Sequence, residues 1–199
     1  MGVQSFVMAT ALALIVGQGW AQEDQARAKK IVGGSCFLCH GEDGESSSEI
    51  FPKLAGQHAS YIAKQLENFK SGQRKSATMA DMASRLSADD MLALGQYFES
   101  KPAAPEVVKD ADLAAMGRYL FNTGNTYSGV PACASCHGKD GLGTANLPRL
   151  AGQYASYIET QLKLFSQRER TNDNAVMHAI VSKMTPLEMA AVATYVSGK

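Results

Sequence analysis

Residues 36–40 read Cys-Phe-Leu-Cys-His, and residues 133–137 read Cys-Ala-Ser-Cys-His. Cys-x-x-Cys-His is a c-type haem attachment pattern. Two thiols three residues apart, Cys36 with Cys39 and Cys133 with Cys136, can each form a thioether to one vinyl group of a single porphyrin. His40 and His137 then stand under the iron as proximal imidazoles. All four cysteines of the chain fall in these two sites, which leaves none for a structural disulfide. Two blander readings compete. A tetrathiolate zinc site could draw on both pairs, but it needs no histidine directly after each. A thioredoxin-like dithiol belongs beside a βαβ pattern, and the sequence shows none. The expected cofactors are two covalently bound haem c groups.

The sequence around the two sites repeats. Pro148-Arg149-Leu150-Ala151-Gly152-Gln153 echoes Pro52-Lys53-Leu54-Ala55-Gly56-Gln57, and Ala155-Ser156-Tyr157-Ile158 matches Ala59-Ser60-Tyr61-Ile62 residue for residue. Gln161, Leu162 and Phe165 echo Gln65, Leu66 and Phe69, and Tyr195 stands where Tyr97 stands. The offset drifts from 97 to 96 to 98, which short insertions in loops explain.

Helical periodicity runs through both copies. Ala26, Ala28, Ile31 and Val32 predict a first helix from Glu23 that ends on Gly33-Gly34. Residues 41–48 read as a loop. Pro52 precedes a predicted helix over 59–71, with Ile62, Leu66 and Phe69 on one face, and a further loop carries Met79 and Met82. Ser87 with Asp90 reads as a capping box opening a helix that ends near Ser100. In the second copy a helix over 113–121 leads in, an extra Gly- and Asn-rich loop follows, and Thr185-Pro186-Leu187-Glu188 caps the last helix with Pro at its first position. The expected class is all-α: domain 1 over 22–100, a proline-containing linker over 101–111, and domain 2 over 112–199. Domains of this size bury a limited share of their surface, so the porphyrin is expected to form much of each core.

The N-terminus has a different character. Phe6 to Val16 is an uncharged, mostly apolar run of 11 residues, and Gly19-Trp20-Ala21 closes it with small residues. This predicts a secretory signal over 1–21, cleaved after Ala21, in a run too short to span a bilayer comfortably. No Lys or Arg precedes the run, so retention as a membrane attachment is the alternative. Export agrees with haem attachment outside the cytoplasm and predicts a periplasmic location.

A methionine thioether on the second face of the iron would raise its potential and close it to substrates. Met79, Met82 and Met91 are available in the first copy, and Met177, Met184 and Met189 in the second. At offset 98 Met79 pairs with Met177, whereas Met82 pairs with Ile180 and Met184 with Leu86. Met91 and Met189 pair on the final helices, at spacing that suits core packing. Met79 and Met177 are the predicted axial ligands, with Met82 the competitor in the first copy. The Pro52 and Pro148 carbonyls are candidate acceptors for the second ring nitrogen of His40 and His137. His58, replaced by Tyr154 in the second copy, and His178, paired with Ala80, read as solvated.

Taken together, the two attachment sites, the run Phe-Pro-Lys-Leu-Ala-Gly-Gln at 51–57 with its twin at 148–153, and Arg-Thr-Asn-Asp at 170–173 before Met177 resemble cytochrome c4. The resemblance covers nearly all of 23–198. It implies two class I cytochrome c-like domains, His/Met ligation of both irons, haems that meet across the domain interface with their propionate edges close, and electron delivery towards a haem-copper terminal oxidase.

The expected function is electron carriage between respiratory partners rather than catalysis. Two six-coordinate irons leave no open site, and no matched acid, base or metal pair is visible. Partners would be redox proteins, a quinol-oxidising complex or a terminal oxidase, and not nucleic acid; the carrier is expected as a monomer. Residues 22–100 carry 9 basic and 11 acidic side chains and residues 101–199 carry 10 and 8, a difference small enough to be solvated surface. Two alternatives are a relay subunit of a larger dehydrogenase, such as flavocytochrome sulfide dehydrogenase, and a dihaem peroxidase, which needs one five-coordinate iron.

Overall fold

The computed structural model describes residues 22–199. The expected signal, residues 1–21, lies outside the described residues. No helix among the described residues is long and apolar enough to cross a membrane.

Helix α1 begins at residue 22 and buries Ala28 and Val32. It does not stop at Gly33-Gly34, as the sequence predicted. It widens into a π-helical turn over Val32–Cys36 and runs on through Phe37–His40. A π-turn absorbs an extra residue without ending a helix, and a Cβ on either glycine would meet nothing within 4 Å, so no neighbour forces the chain to leave the helix there. The first attachment motif therefore occupies the last turns of α1. Gly41, at φ 73°, ends it.

Three further helices complete the first unit: α2 (Ala59–Lys70), α3 (Ala77–Ser84) and α4 (Ala88–Glu99). The second unit repeats the plan with α5 (Ala111–Thr123), α6 (Ala134–His137), α7 (Ala155–Ser166), α8 (Val176–Val181) and α9 (Pro186–Ser197). Here the leading helix and the motif are separate, because Gly124 closes α5 and the loop that follows folds on itself through an Asn125–Val130 bridge. Among the described residues there is no strand beyond that bridge and one at Thr144–Leu147. The protein is all-α.

The segment around Met79 and Met82, expected as a loop, is helix α3. Ser76 caps it, its Oγ accepting from the Met79 N–H at 3.3 Å. Eight half-exposed residues carry too little apolar stripe for periodicity to reveal them. Met177 likewise lies on the first turn of α8, its N–H donating to Asp173 Oδ2 at 2.5 Å.

Each unit has its own apolar core. Val32, Ile62, Leu66, Phe69, Leu94 and Phe98 lead the first, and Phe121, Ile158, Leu162, Phe165, Val192 and Val196 the second. The α5–α9 crossing is so close that a Cβ on Gly117 would fall 1.9 Å from the Ala191 carbonyl oxygen. Gly117→Ala is therefore expected to lower stability by about 1–3 kcal/mol through overpacking. For a domain of this size that corresponds to a fall of very roughly 4–8 °C in Tm per kcal/mol, read by calorimetry.

Both predicted capping boxes are present, Ser87 with Asp90 on α4 and Thr185 with Glu188 on α9. The Thr185 backbone N–H, then the Asn125 amide, hold the Glu188 carboxyl below its usual range; the Ser87 hydroxyl and backbone do the same for Asp90. A depressed carboxyl contributes stability that is complete above its unfolded pKa and is lost as pH falls through its folded value. The urea midpoint should thus drop between roughly pH 5 and 3. Thr185→Ala should cost about 1 kcal/mol at neutral pH and leave most of that drop in place, because the Thr185 N–H and the Asn125 amide still hold the Glu188 carboxylate.

Candidate haem sites and the interface between them

His40 and His137 are both 8% exposed. The Nδ1 of His40 lies 2.9 Å from the Pro52 carbonyl oxygen, and that of His137 lies 3.1 Å from the Pro148 carbonyl oxygen. A carbonyl only accepts, so Nδ1 carries the proton and Nε2 keeps its lone pair. Burial pushes both imidazoles below their usual pKa, the carbonyl bonds offsetting part of this, so both are neutral at pH 7 and ready to bind a metal through Nε2.

The loop after each motif makes this geometry. The Gly44 carbonyl accepts from Leu54 and Ala55 N–H at 2.7 and 3.2 Å, and the Gly141 carbonyl does the same for Leu150 and Ala151 at 2.7 and 3.0 Å. The loop is thereby folded back so that the repeated proline faces the imidazole. Gly44 has φ 78° and a Cβ there would lie 2.6 Å from Ala55 N, so no other residue fits.

Cys36 and Met79 both pack against the first core cluster, and Cys133 and Met177 both pack against the second. Each copy thus brings a tethering thiol and a candidate thioether to the same apolar body, and in the second copy Met184 borders that body as Met177 does. That donor set fits a covalently held porphyrin with nitrogen and sulfur axial ligands. Met82 is 43% exposed, while Met91 and Met189 are buried core residues. The zinc reading fails on geometry, because no three His, Cys, Asp or Glu side chains among the described residues come together. The dithiol reading fails on chemistry. Burial pushes the Cys133 thiol up to about 11 and raises Cys36 as well, the opposite of a reactive thiolate.

The two units face each other about a pseudo-two-fold. Lys53 N–H donates to Gln153 Oε1 at 2.9 Å and Gln153 Nε2 donates to the Lys53 carbonyl at 2.8 Å. Arg149 N–H and carbonyl make the same pair with Gln57, both at 2.9 Å. This is an isologous contact within one chain. His58, read from sequence as solvated, reaches across it, its Nε2 2.8 Å from the Leu142 carbonyl oxygen. Its counterpart Tyr154 donates to the equivalent Ser46 carbonyl. His178 is also not free, its Nδ1 lying 3.0 Å from the Phe165 carbonyl oxygen. Lys53, 8% exposed, is paired with Glu45 at 2.8 Å and with Glu106, which pins the connecting segment to the first unit. Burial works against the Lys53 charge, but the two carboxylates outweigh it and raise its pKa. Sequence reasoning passed over Gln57, Gln153 and Lys53. Their signal was identity or like chemistry at matching positions of the repeat, on residues with no packing reason to recur.

Two tandem helical units, each presenting a Cys-x-x-Cys-His turn with a carbonyl-backed imidazole, define a dihaem c-type cytochrome. The cytochrome c family model matches twice, over residues 25–124 and 114–198. Cytochrome c4 of Thiocapsa roseopersicina is 39% identical over 184 residues, spanning 90% of this chain and 93% of that protein. The thiosulfate dehydrogenase electron acceptor of Thiomonas intermedia is 36% identical, over 90% of this chain and 85% of its own length. Among solved structures, reduced cytochrome c4 from Pseudomonas stutzeri superposes with a TM-score of 0.81 at 35% identity, covering 89% of this chain and 97% of that one. The chain belongs to the cytochrome c4 family and is a dihaem electron carrier, with one haem c on Cys36 and Cys39 and another on Cys133 and Cys136.

Proposed function

We propose that this chain shuttles electrons in the periplasm between respiratory partners, towards a haem-copper terminal oxidase, with both irons closed by His/Met ligation. Residues 22–100 would carry one centre, with His40 and Met79 as axial ligands. Residues 112–199 would carry the other, with His137 and Met177, and 101–111 would link them. Residues 1–21 would direct export. Haem supplies the one-electron chemistry. The protein's own part is to hold each imidazole neutral and oriented through the proline carbonyl, to keep water from the apolar core, and to offer a soft sulfur that favours Fe(II).

One observation supports the reading: in each copy the tethering thiol and a methionine at the start of a short helix border the same apolar cluster. Such centres have no position for substrate. Spectroelectrochemical titration with near-infrared detection tests it. The expected result is two one-electron centres with the sulfur-to-iron charge-transfer band and no carbon monoxide uptake at neutral pH; a centre that takes up carbon monoxide readily sinks the reading. A second reading is favoured by the relative that accepts electrons from thiosulfate dehydrogenase. On it this chain would relay electrons out of a dehydrogenase. Stopped-flow reduction by a purified thiosulfate dehydrogenase, set beside oxidation by a purified terminal oxidase, separates donor from acceptor.

A further inference from the structure

His58 belongs to the first unit, but its side chain is turned to the second. It stands at the N-cap of α2 and makes no cap bond with its ring. Its neighbours hold it in place. Gln57 pairs with Arg149 of the other unit through both ends of its amide and accepts from the His58 N–H at 3.2 Å. Ser60 donates to the Ala145 carbonyl of the same facing loop.

The Nε2 of His58 lies 2.8 Å from the Leu142 carbonyl oxygen. A carbonyl only accepts, so Nε2 carries a proton. The same peptide unit ends in the Gly143 N–H, which donates to the His137 carbonyl at 2.8 Å. An unbroken line of hydrogen bonds thus runs from a first-unit imidazole to the backbone of the second unit's attachment histidine. The turn that carries it is tight, since a Cβ on Gly143, at φ 70°, would lie 2.3 Å from the Leu147 carbonyl oxygen.

The other ring nitrogen, Nδ1, lies 3.4 Å from Glu99 Oε1 on α4, and the side chain is 25% exposed, so solvent protons reach it. With Nδ1 bare, two lone pairs face each other; with Nδ1 protonated, the contact is an ion pair. No other carboxylate among the described residues lies within 4.0 Å of the ring. Of the charged residues in the facing loop, Asp140 pairs with Lys199 at 3.8 Å and Lys139 is exposed. The first unit's attachment turn is contacted by a different group. Tyr154 takes the place of His58 in the second copy and donates to the Ser46 carbonyl, and Ser46 Oγ donates to the Cys39 carbonyl at 2.9 Å. Burial raises the Tyr154 pKa, Lys53 offsetting part of this, so the phenol stays neutral where histidines change charge.

We propose that His58 is a proton-sensitive positioning residue: from the first unit it tunes the potential of the second unit's centre, through the Leu142–Gly143 peptide and the His137 carbonyl. A proton on Nδ1 makes the Nε2–H bond to Leu142 charge-assisted and stronger. That bond polarises the peptide and strengthens the next one in line. The added positive charge favours Fe(II) in the second unit. Linkage is reciprocal: when an electron reaches that iron, Nδ1 takes a proton from solvent water more readily. Tyr154 gives the first unit no such response, so pH changes the gap between the two potentials.

The test is spectroelectrochemical titration of the holoprotein at pH 5 and pH 8, on wild type, His58→Tyr and His58→Gln. Tyrosine is the residue the repeat itself uses, and glutamine keeps a neutral donor for Leu142. Met177→Leu identifies which potential belongs to the second unit. Between pH 8 and pH 5 the second centre of the wild type is expected to shift towards Fe(II) at least threefold more than that of either variant. By the 59 mV per tenfold of a one-electron couple this is about 28 mV. The first centre should respond to pH alike in all three proteins. Other titrating groups are common to the three and cancel in the comparison. Equal pH responses of the second centre would overturn the inference, as would an equal loss of response at both centres. The inference rests on the proposed ligation of the second iron by His137. A second centre without an imidazole signature in electron paramagnetic resonance would overturn that premise, whereas an imidazole-bound centre indifferent to His58 overturns the inference alone.

Discussion

A chain in which Cys36, Cys39, Cys133 and Cys136 are all serine should lose about half or more of its helical circular dichroism and its cooperative thermal transition. The argument is one of size. A domain of some 60 residues buries only about 60% of the surface its unfolded chain exposes, and domains of this class sit near the margin of independent stability. Each unit here has its own small cluster, and the clusters are not fused into one core. The residues that would line a porphyrin are the ones left worst off without it. His40 and His137 are buried and neutral with Nε2 unpaired by protein, and Met79 and Met177 are only partly covered by their clusters. The thioether links would hold a large apolar group against these residues. Circular dichroism from 20 to 90 °C checks the outcome, and a native-like spectrum with a cooperative transition would show that the protein core suffices alone.

Met79→Leu is expected to remove one of the two near-infrared sulfur-to-iron bands, to open one iron to carbon monoxide, and to lower one potential on the order of 100 mV, a modest part of the roughly 0.8 V that axial ligands span. Leucine is close to methionine in volume, so the packing of α3 is kept at a cost under about 1.5 kcal/mol. The change therefore reads ligation rather than folding. Met82→Leu is the control, since Met82 points to solvent while Met79 packs against the cluster that holds Cys36. Were Met82→Leu to lose the band and Met79→Leu to keep it, the ligand assignment in the first unit would be reversed. Met177→Leu should reproduce the effect in the second unit.

The attachment turns were legible because their chemistry demands adjacent residues: two thiols and an imidazole must lie on one helical turn, and that is a local requirement. The capping boxes of α4 and α9 were legible for the same reason. The π-turn was not, since Gly33-Gly34 has the composition of a helix end and only the open space around it lets the helix continue. Helix α3 was missed because it is short and half-exposed, and its cap, Ser76, is an ordinary serine until Met79 N–H is seen beside it.

By itself the amino-acid sequence determined the number of haems and the duplicated all-α plan, because both are written in spacing along the chain. Only the tertiary structure decided what Gln57, Gln153, Lys53 and His58 do. These residues act on groups some 50 to 100 positions away, across an interface between the copies. A repeat read one copy at a time contains no information on which faces of the copies meet. The hydrogen bonds that join the copies exist only once those faces are together.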